Sequence, residues 1–500
     1  MKPMKKNLFW IIIFLIATLI LIRMFYTPNV KISLVTFEQA PLGALANIET
    51  REKTQVRITL SGKDGNDLNA TFPSYSTFHE IPILGLYADF ANQVEFVFET
   101  EAGKTFSKKL TIQTDPLPSI YPTIKAQRKD PDRIEQGMIF LHLGHYDDDG
   151  NFQALSSAVD EFGNVRWLYT GEIGHVMKRL STGNLLIQDT NNTLVEIDLL
   201  GRPIRQRAQV MTSIHHDVVE MPNGNLLILS TAPSSFEDGV VEVDAQSGQV
   251  IRWWDFRTIL DQKRPPQPRN LNDKDWLHLN GIDYNPCDDS FIVSGRDQSA
   301  VVKVDRKTGK LQWILGNHEH WNESLQPYLL TPTQQEGFAW QWGQHAPMFD
   351  ENNPNRILLY DNGNSRSYEQ PLLPKDNHSR AVEYEIDATN KQISQIWEHG
   401  SIYGSELFTP FIGDANYLEG GNRLICFGGI TRSLSQEPME IFDFETMTIN
   451  KMKMSARIIE TTDTYPSKEV LILTIEDPDP TRYQGYRCYQ AEKLLLYPSL

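Results

Sequence analysis

The chain has 500 residues, 40% hydrophobic and 10% aromatic, enough to bury at least one large core and to divide into more than one domain. Its formal charge of −17 at pH 7 excludes nucleic acid as the partner, because binding a phosphate backbone needs a basic face. A small anion held locally by one arginine and neighbouring histidines is compatible with that balance.

The N-terminus departs from a globular composition. Lys2, Lys5 and Lys6 precede the apolar run 8–22, and Arg23, Met24, Phe25 and Tyr26 extend it to the ~17–25 residues a membrane helix needs. Positive charge ahead of the run keeps the N-terminus in the cytoplasm and sends the rest across. No small-x-small cleavage site follows, so residues 1–28 read as a cytoplasmic stub and uncleaved transmembrane signal anchor. The remaining chain is then expected on the periplasmic or extracellular side. Cys287, Cys426 and Cys488 lack metal-ligand spacing and permit at most one disulfide.

Residues 29–116 form the next unit. Stretches 30–35, 55–60 and 93–98 alternate apolar and polar residues, the period of half-buried strands, with turn chemistry at 61–65 and 101–104. Such strands predict a small β-sandwich. Pro116, Pro118 and Pro122 then mark a linker.

Residues 117–500 repeat. An apolar-x-apolar-Asp strand end, a short turn and a second strand recur at Asp160, Asp198, Asp244, Asp305, Asp387 and Asp443, often closing on a tryptophan such as Trp167, Trp253, Trp313 or Trp397. A second hairpin precedes most copies, with Gly/Asn turns at Gly183-Asn184, Gly224-Asn225 and Gly421-Asn422. Two hairpins make a four-stranded blade, so six copies predict an all-β, six-bladed β-propeller. The strands after Arg457, including 470–473, are expected to pair with the first blade and close the ring. The repeated aspartates read as turn caps.

Aligning the blades on their Gly/Asn turns puts His175, His216, His345 and Gly413 at one position near the start of the innermost strand. Asn280 falls within a residue of it, and His278 two residues earlier on its own strand. The repeat therefore predicts that His216, His278, Asn280 and His345 face one pocket in the central channel. Arg296, in Gly295-Arg296-Asp297, supplies a fixed fork of donors suited to an anion, although pairing with Asp297 or Asp283 is an alternative. A neutral imidazole is a competent nucleophile near pH 7. His215-His216-Asp217 also admits a metal reading, but no other acidic residue joins it by motif. No metal or cofactor is expected.

Several stretches carry a resemblance. They are His215-His216-Asp217 with Pro222-Asn223-Gly224-Asn225, Asp275-Trp276-Leu277-His278-Leu279-Asn280, Gly295-Arg296-Asp297-Gln298-Ser299-Ala300, Gly343-Gln344-His345-Ala346 and Asp361-Asn362-Gly363-Asn364. In this order they resemble the bacterial arylsulfate sulfotransferases. The resemblance implies nucleotide-independent transfer of a sulfuryl group from a phenolic sulfate ester to a phenolic acceptor, by a ping-pong route through a sulfohistidine. It implies His345 as nucleophile, with His278, Arg296 and one of His215 and His216 holding the sulfuryl oxygens. The blade alignment favours His216 for that role, with His215 and Asn280 as further substrate-binding residues. Expected partners are the donor, the acceptor and the membrane, and a homodimer is compatible with them. The family's cleaved signal and close cysteine pair are not matched here. The contrasting readings are a non-catalytic propeller that binds a glycan or protein at the cell surface, and a quinoprotein dehydrogenase suggested by Asp305 through Trp313. The latter needs eight blades and often adjacent cysteines.

Overall fold

The structure, a computed structural model, describes residues 30–63, 65–146, 152–189, 192–210, 212–231, 237–268, 275–334, 336–440, 452–479, 481 and 484–497. The expected anchor, residues 1–28, lies outside them. Among the described residues no helix is long and apolar enough to cross a membrane. The chain divides into two compact units at Pro116 and Leu117.

The first unit is one antiparallel sheet of five strands, Lys31–Thr36, Ala44–Leu60, Leu68–Ile83, Ala91–Thr100 and Thr105–Gln113. Its long second strand pairs with Lys31–Thr36 along its first half and with Ala91–Thr100 along its second, while Leu68–Ile83 follows both halves. The expected sandwich is thus built as a continuous sheet, because one strand changes partner midway. Alternation buries Val56, Ile58, Leu60, Val94, Phe96 and Phe98, as a period of two requires.

The second unit is nearly all β. Three four-stranded antiparallel sheets start at Met177–Arg179, Ile214–Glu220 and Leu279–Asn285. A five-stranded sheet starts at His345–Asp350, with the short Thr331–Pro332 on its far edge. A ten-stranded sheet has two arms. One runs Asp414–Tyr417, Arg423–Ser433, Met452–Thr461, Glu469–Glu476 and finally Thr123–Arg128; the other runs Gln484–Leu494, Met138–Tyr146, Ser157–Val159 and Val165–Leu168. A parallel contact, Lys453 opposite Gln484 and Met454 opposite Gly485, joins them.

These arms correct one expectation. Of the strands after Arg457, Gln484–Leu494 meets the first hairpins of the unit as expected, whereas residues 470–473 do not. They lie between Met452–Thr461 and Thr123–Arg128, and Gln484–Leu494 instead pairs with Met138–Tyr146. The physical reason is that 470–473 is apolar throughout and its side chains are all buried, so its sequence carries no alternation to choose a partner. The repeated aspartates are turn caps. Asp160 accepts from the backbone N–H of Phe162 and Asn164, Asp198 from Leu200 and Arg202, and Asp387 from Thr389 and Asn390, all at 2.9–3.0 Å. Asp244 and Asp305 cap in the same way through Ser247 and Thr308. Asp443 lies outside the described residues.

Carboxylates tie the first strands to one another and to Gln484–Leu494. Asp217 accepts from the N–H of Ile282 at 3.1 Å, Asp283 from Phe349 at 2.8 Å, and Asp414 from Ala491 at 3.2 Å. The Lys178 ammonium lies 3.4 Å from Asp217 and 3.3 Å from Glu492, joining three strands. Lys178, Asp217, Asp283, Met348 and Asp414 therefore line one cavity of about 310 Å³. Burial alone would lower the lysine, but Asp217, Glu492 and Asp414 hold its ammonium above the usual range. Burial pushes Asp283 up to about 7 and Asp414 up to about 6.

Replacing Lys178 by Met leaves Asp217 and Glu492 close together without a cation. Breaking a buried pair costs roughly 3–5 kcal/mol. Because 26% of the Lys178 side chain meets solvent, the loss is expected at the low end of that range. Chemical denaturation of Lys178→Met against wild type at pH 7 measures it.

Candidate active site

The site forms where the first strands leave regular pairing. The register of Ile214–Glu220 against its neighbour breaks between Ile214 and Val218, that of Leu279–Asn285 between Leu279 and Gly281, and that of His345–Asp350 between His345 and Met348. His216 and Ala346 stand at two of these breaks and His278 just ahead of the strand Leu279–Asn285, with φ of 55°, 47° and 53°, respectively. A non-glycine residue held there costs on the order of 1–3 kcal/mol, and such bulges re-aim side chains out of the ladder. Gly343, at φ 62°, is needed for a further reason: a Cβ would stand 2.6 Å from the Asn364 side-chain oxygen.

His345 is the most tightly positioned member. The residue before it, Gln344, donates through its amide to Ser294 Oγ, Gly295 O and Ala300 O, and its carbonyl accepts from Asn280 Nδ2 at 2.9 Å and from Ser294 Oγ at 3.0 Å. The imidazole Nδ1 lies 2.6 Å from Asn362 Oδ1. Asn362 Nδ2 donates to the carbonyls of Thr409 at 2.9 Å and Ile412 at 2.7 Å, so its amide orientation is fixed with Oδ1 toward His345. The ring must then carry its proton on Nδ1, which leaves the lone pair on Nε2. Burial and the charge of Arg296 hold this imidazole well below its usual pKa, so it is neutral and nucleophilic at pH 7.

Arg296 is tied to His278 through its backbone N–H, which donates to the His278 carbonyl at 3.1 Å. Its guanidinium reaches Asp297 at 3.3 Å, the alternative left open in the sequence, while still acting electrostatically on His345. His278 and His216 stand ring to ring with centroids 4.7 Å apart. The Nδ1 of His278 is 2.5 Å from Asp275 Oδ2 and 2.9 Å from Glu237 Oε2. Burial would lower this histidine, but the two carboxylates raise it well above its usual value. Glu237 is correspondingly held low by His278 and His216, against its own burial.

His216 is held on both sides, with Nε2 3.1 Å from Glu237 and Nδ1 3.0 Å from the Tyr489 hydroxyl. Tyr489 lies almost parallel to its ring, at 2°. His175 and His215 each approach the His216 ring with centroids 5.2 Å away. Burial lowers these two to about 3 and about 4, respectively.

The structure thus brings His216 and His278 into contact and places His345 and Arg296 within electrostatic reach of them. His215 packs behind His216, buried. Asn280 turns to the Gln344 carbonyl, where it positions the residue before His345. Asp217 is not part of the cluster, since it is spent on Lys178 and Ile282. Sequence reasoning missed Glu237, Asp275, Asn362 and Tyr489. Asp275 and Asn362 sit inside recognisable motifs three residues before His278 and one residue after Asp361. Glu237 lies in a loop without motif, and Tyr489 is 273 residues from His216, so no local pattern marks either.

This arrangement, a neutral imidazole with a defined tautomer beside a guanidinium and a carboxylate-backed histidine, is that of a group-transfer enzyme acting on an anion. The arylsulfotransferase (ASST) family model matches residues 104–487, and an arylsulfotransferase Ig-like domain matches residues 33–115. The chain belongs to the arylsulfotransferase family and is a sulfotransferase. It is 25% identical to arylsulfate sulfotransferase AssT of Escherichia coli O6:H1 over 90% of this chain and 91% of that protein. It is also 25% identical to AssT of Lelliottia amnigena, over 79% and 83%.

Asn362→Leu removes the acceptor that fixes the His345 tautomer while keeping similar volume. Transfer is expected to fall about 10–100-fold, the range seen when an outer hydrogen-bond partner is lost. The loss should fall mainly on kcat, with little change in KM, and steady-state kinetics with an aryl sulfate reporter would show it.

Proposed function

We propose that the chain moves a sulfuryl group from a phenolic sulfate ester to a phenolic acceptor in two steps, through a sulfohistidine at His345. The observation that carries this reading is the hydrogen bond from His345 Nδ1 to Asn362, which leaves a neutral Nε2 lone pair beside Arg296. In the first step Nε2 forms a bond to sulfur, and the bond from sulfur to the phenolic oxygen breaks with its electron pair on the oxygen. That oxygen takes a proton from His278. In the second step an acceptor phenol returns its proton to His278 and attacks sulfur, and the N–S bond breaks to restore the lone pair on Nε2.

Sulfuryl transfer resembles phosphoryl transfer in its loose transition state, so donors around the equatorial oxygens contribute most. Arg296 supplies a forked cation for them. The Nδ1 edge of His278 is taken by Asp275 and Glu237, which leaves Nε2–H for the substrate. Both nitrogens of His216 have protein partners, so its part is to support Glu237 and His278 from behind. The three four-stranded sheets, the five-stranded sheet and the two arms of the ten-stranded sheet fit six blades around one axis, in keeping with the six aspartate hairpins of the sequence. The basic and apolar residues of 1–28 support membrane anchoring, with this ring outside the cytoplasm. Protease protection in sealed cells would test that topology, and the proposal fails if residues 117–500 are digested only after the inner membrane is opened.

The covalent step has a direct test. Intact mass after exposure to an aryl sulfate should show one added sulfuryl group on wild type and none on His345→Asn, which should also lose transfer. Full turnover by His345→Asn would overturn the reading. The pH dependence has a definite sign. Because the His345 pKa is lowered, its lone pair persists as pH falls, and the acid limb of kcat should lie well below pH 6.5. Arg296→Ala removes one lowering influence and one oxyanion donor. Its acid limb should move up, and its rate should drop about 10²–10³-fold.

A further inference from the structure

We propose that Glu237, Asp275 and His278 form a binding site for one divalent transition-metal ion of the Zn²⁺ class, adjoining the sulfuryl-transfer site, with His216 against the Glu237 ligand. The site rests on how these groups converge. Two carboxylate oxygens, Asp275 Oδ2 at 2.5 Å and Glu237 Oε2 at 2.9 Å, approach the same ring nitrogen of His278. A single N–H satisfies one such acceptor well, and two carboxylates this close repel each other unless positive charge lies between them. The same Glu237 oxygen is 3.1 Å from His216 Nε2. One carboxylate therefore joins two imidazoles and faces a second carboxylate. The ligand atoms of Glu237, Asp275 and His278, and separately those of His215, His216 and Glu237, all lie within 4.8 Å of one another.

The donor set selects the ion. Two carboxylates and imidazole suit Zn²⁺ and its neighbours, whereas Mg²⁺ and Ca²⁺ prefer all-oxygen shells. Metal–ligand bonds of ~2.0–2.1 Å put tetrahedral ligands roughly 3.3 Å apart, so the 2.5 and 2.9 Å contacts of His278 with Asp275 and Glu237 need open only slightly. A dication also matches the two carboxylate charges, which one proton on His278 does not.

The surroundings are those of a ligand shell. Tyr489, 3.0 Å from His216 Nδ1, can donate its hydroxyl proton there, so that His216 Nε2–H is given to Glu237 and orients that ligand, the usual support behind a metal-bound group. His215 is 2% exposed, and neither of its ring nitrogens makes a well-formed hydrogen bond among the described residues. It stands beside Glu237 and His216 as a reserve ligand. His278 would coordinate through Nδ1 and keep Nε2–H for the substrate, so metal and proton compete for one atom while the transfer geometry is retained. The assignment does not depend on the sulfohistidine, because His345 is not among the ligands.

The test is calorimetric titration of the chelator-treated full chain with Zn²⁺, alongside Co²⁺ absorption spectroscopy and a Mg²⁺ control. The expected result is one Zn²⁺ per chain, a visible Co²⁺ spectrum of four- or five-coordinate nitrogen and oxygen ligation, and no heat with Mg²⁺. Glu237→Gln and His278→Ala should each weaken Zn²⁺ binding at least ~10-fold. His345→Asn should bind Zn²⁺ as wild type does even though it cannot be sulfurylated, which separates this proposal from the mechanism. Circular dichroism of each variant confirms that it is folded, and if Glu237→Gln is not, His278→Ala and Asp275→Asn carry the reading. Absence of stoichiometric binding by wild type, or binding unchanged in the folded variants, would overturn the site.

Discussion

Carboxylates that accept hydrogen bonds from neighbouring strands are the constraint on which the centre of this protein depends. Asp217 and Asp283 each hold a backbone N–H of the strand that starts the next sheet, and Asp414 holds one of Gln484–Leu494 in the other arm of its own sheet. Unpaired, such charges would oppose folding; hydrogen-bonded and balanced in part by Lys178, they fix the separation of the strands. His216 lies on the strand of Asp217, His278 directly precedes that of Asp283, and His345 starts that of Phe349, so tying these strands fixes the spacing of the three histidines.

On that frame the site keeps its residues in conformations that a regular strand would not allow. His216 has positive φ at a break in pairing, His278 just before its strand begins, and Ala346 repeats the feature one residue after His345. Strain of this kind persists only where the surroundings over-determine it. Here they do. Gln344 is gripped on both its side chain and its carbonyl, and Asn362 is gripped by two carbonyls while Asp361 beside it is paired with Arg366 and Arg380. The His345 imidazole is therefore held in one orientation by the protein alone.

The histidines of one cluster occupy different electrostatic states for reasons that can be named. His345 has a cation and burial against it and stays neutral. His278 has two carboxylates and is raised despite burial. Glu237 couples the second of these to His216. Separation of neighbouring titrating groups in this way leaves a neutral imidazole at His345 and positive charge at His278.

The sequence by itself determined the periodic features. The aspartate turn caps, the Gly/Asn hairpins and the alternating strands of residues 30–115 all follow from local backbone chemistry, which a few adjacent residues decide. The repeat was also enough to place His216, His278 and His345 near the starts of first strands, since equivalent positions of a repeat meet at its centre. Only the tertiary structure decided the rest. The pairing of 470–473 could not be read because a wholly apolar run fits more than one partner. That Asp217 serves a lysine while Glu237 serves the histidines depends on backbone direction at a bulge and in an unpatterned loop. Tyr489 reaches His216 because the C-terminal strand Gln484–Leu494 returns to pair with Met138–Tyr146, a closure across most of the chain length. Contacts of that range leave no trace in neighbouring residues, because side chains far apart in sequence are set side by side only by the packing of whole sheets.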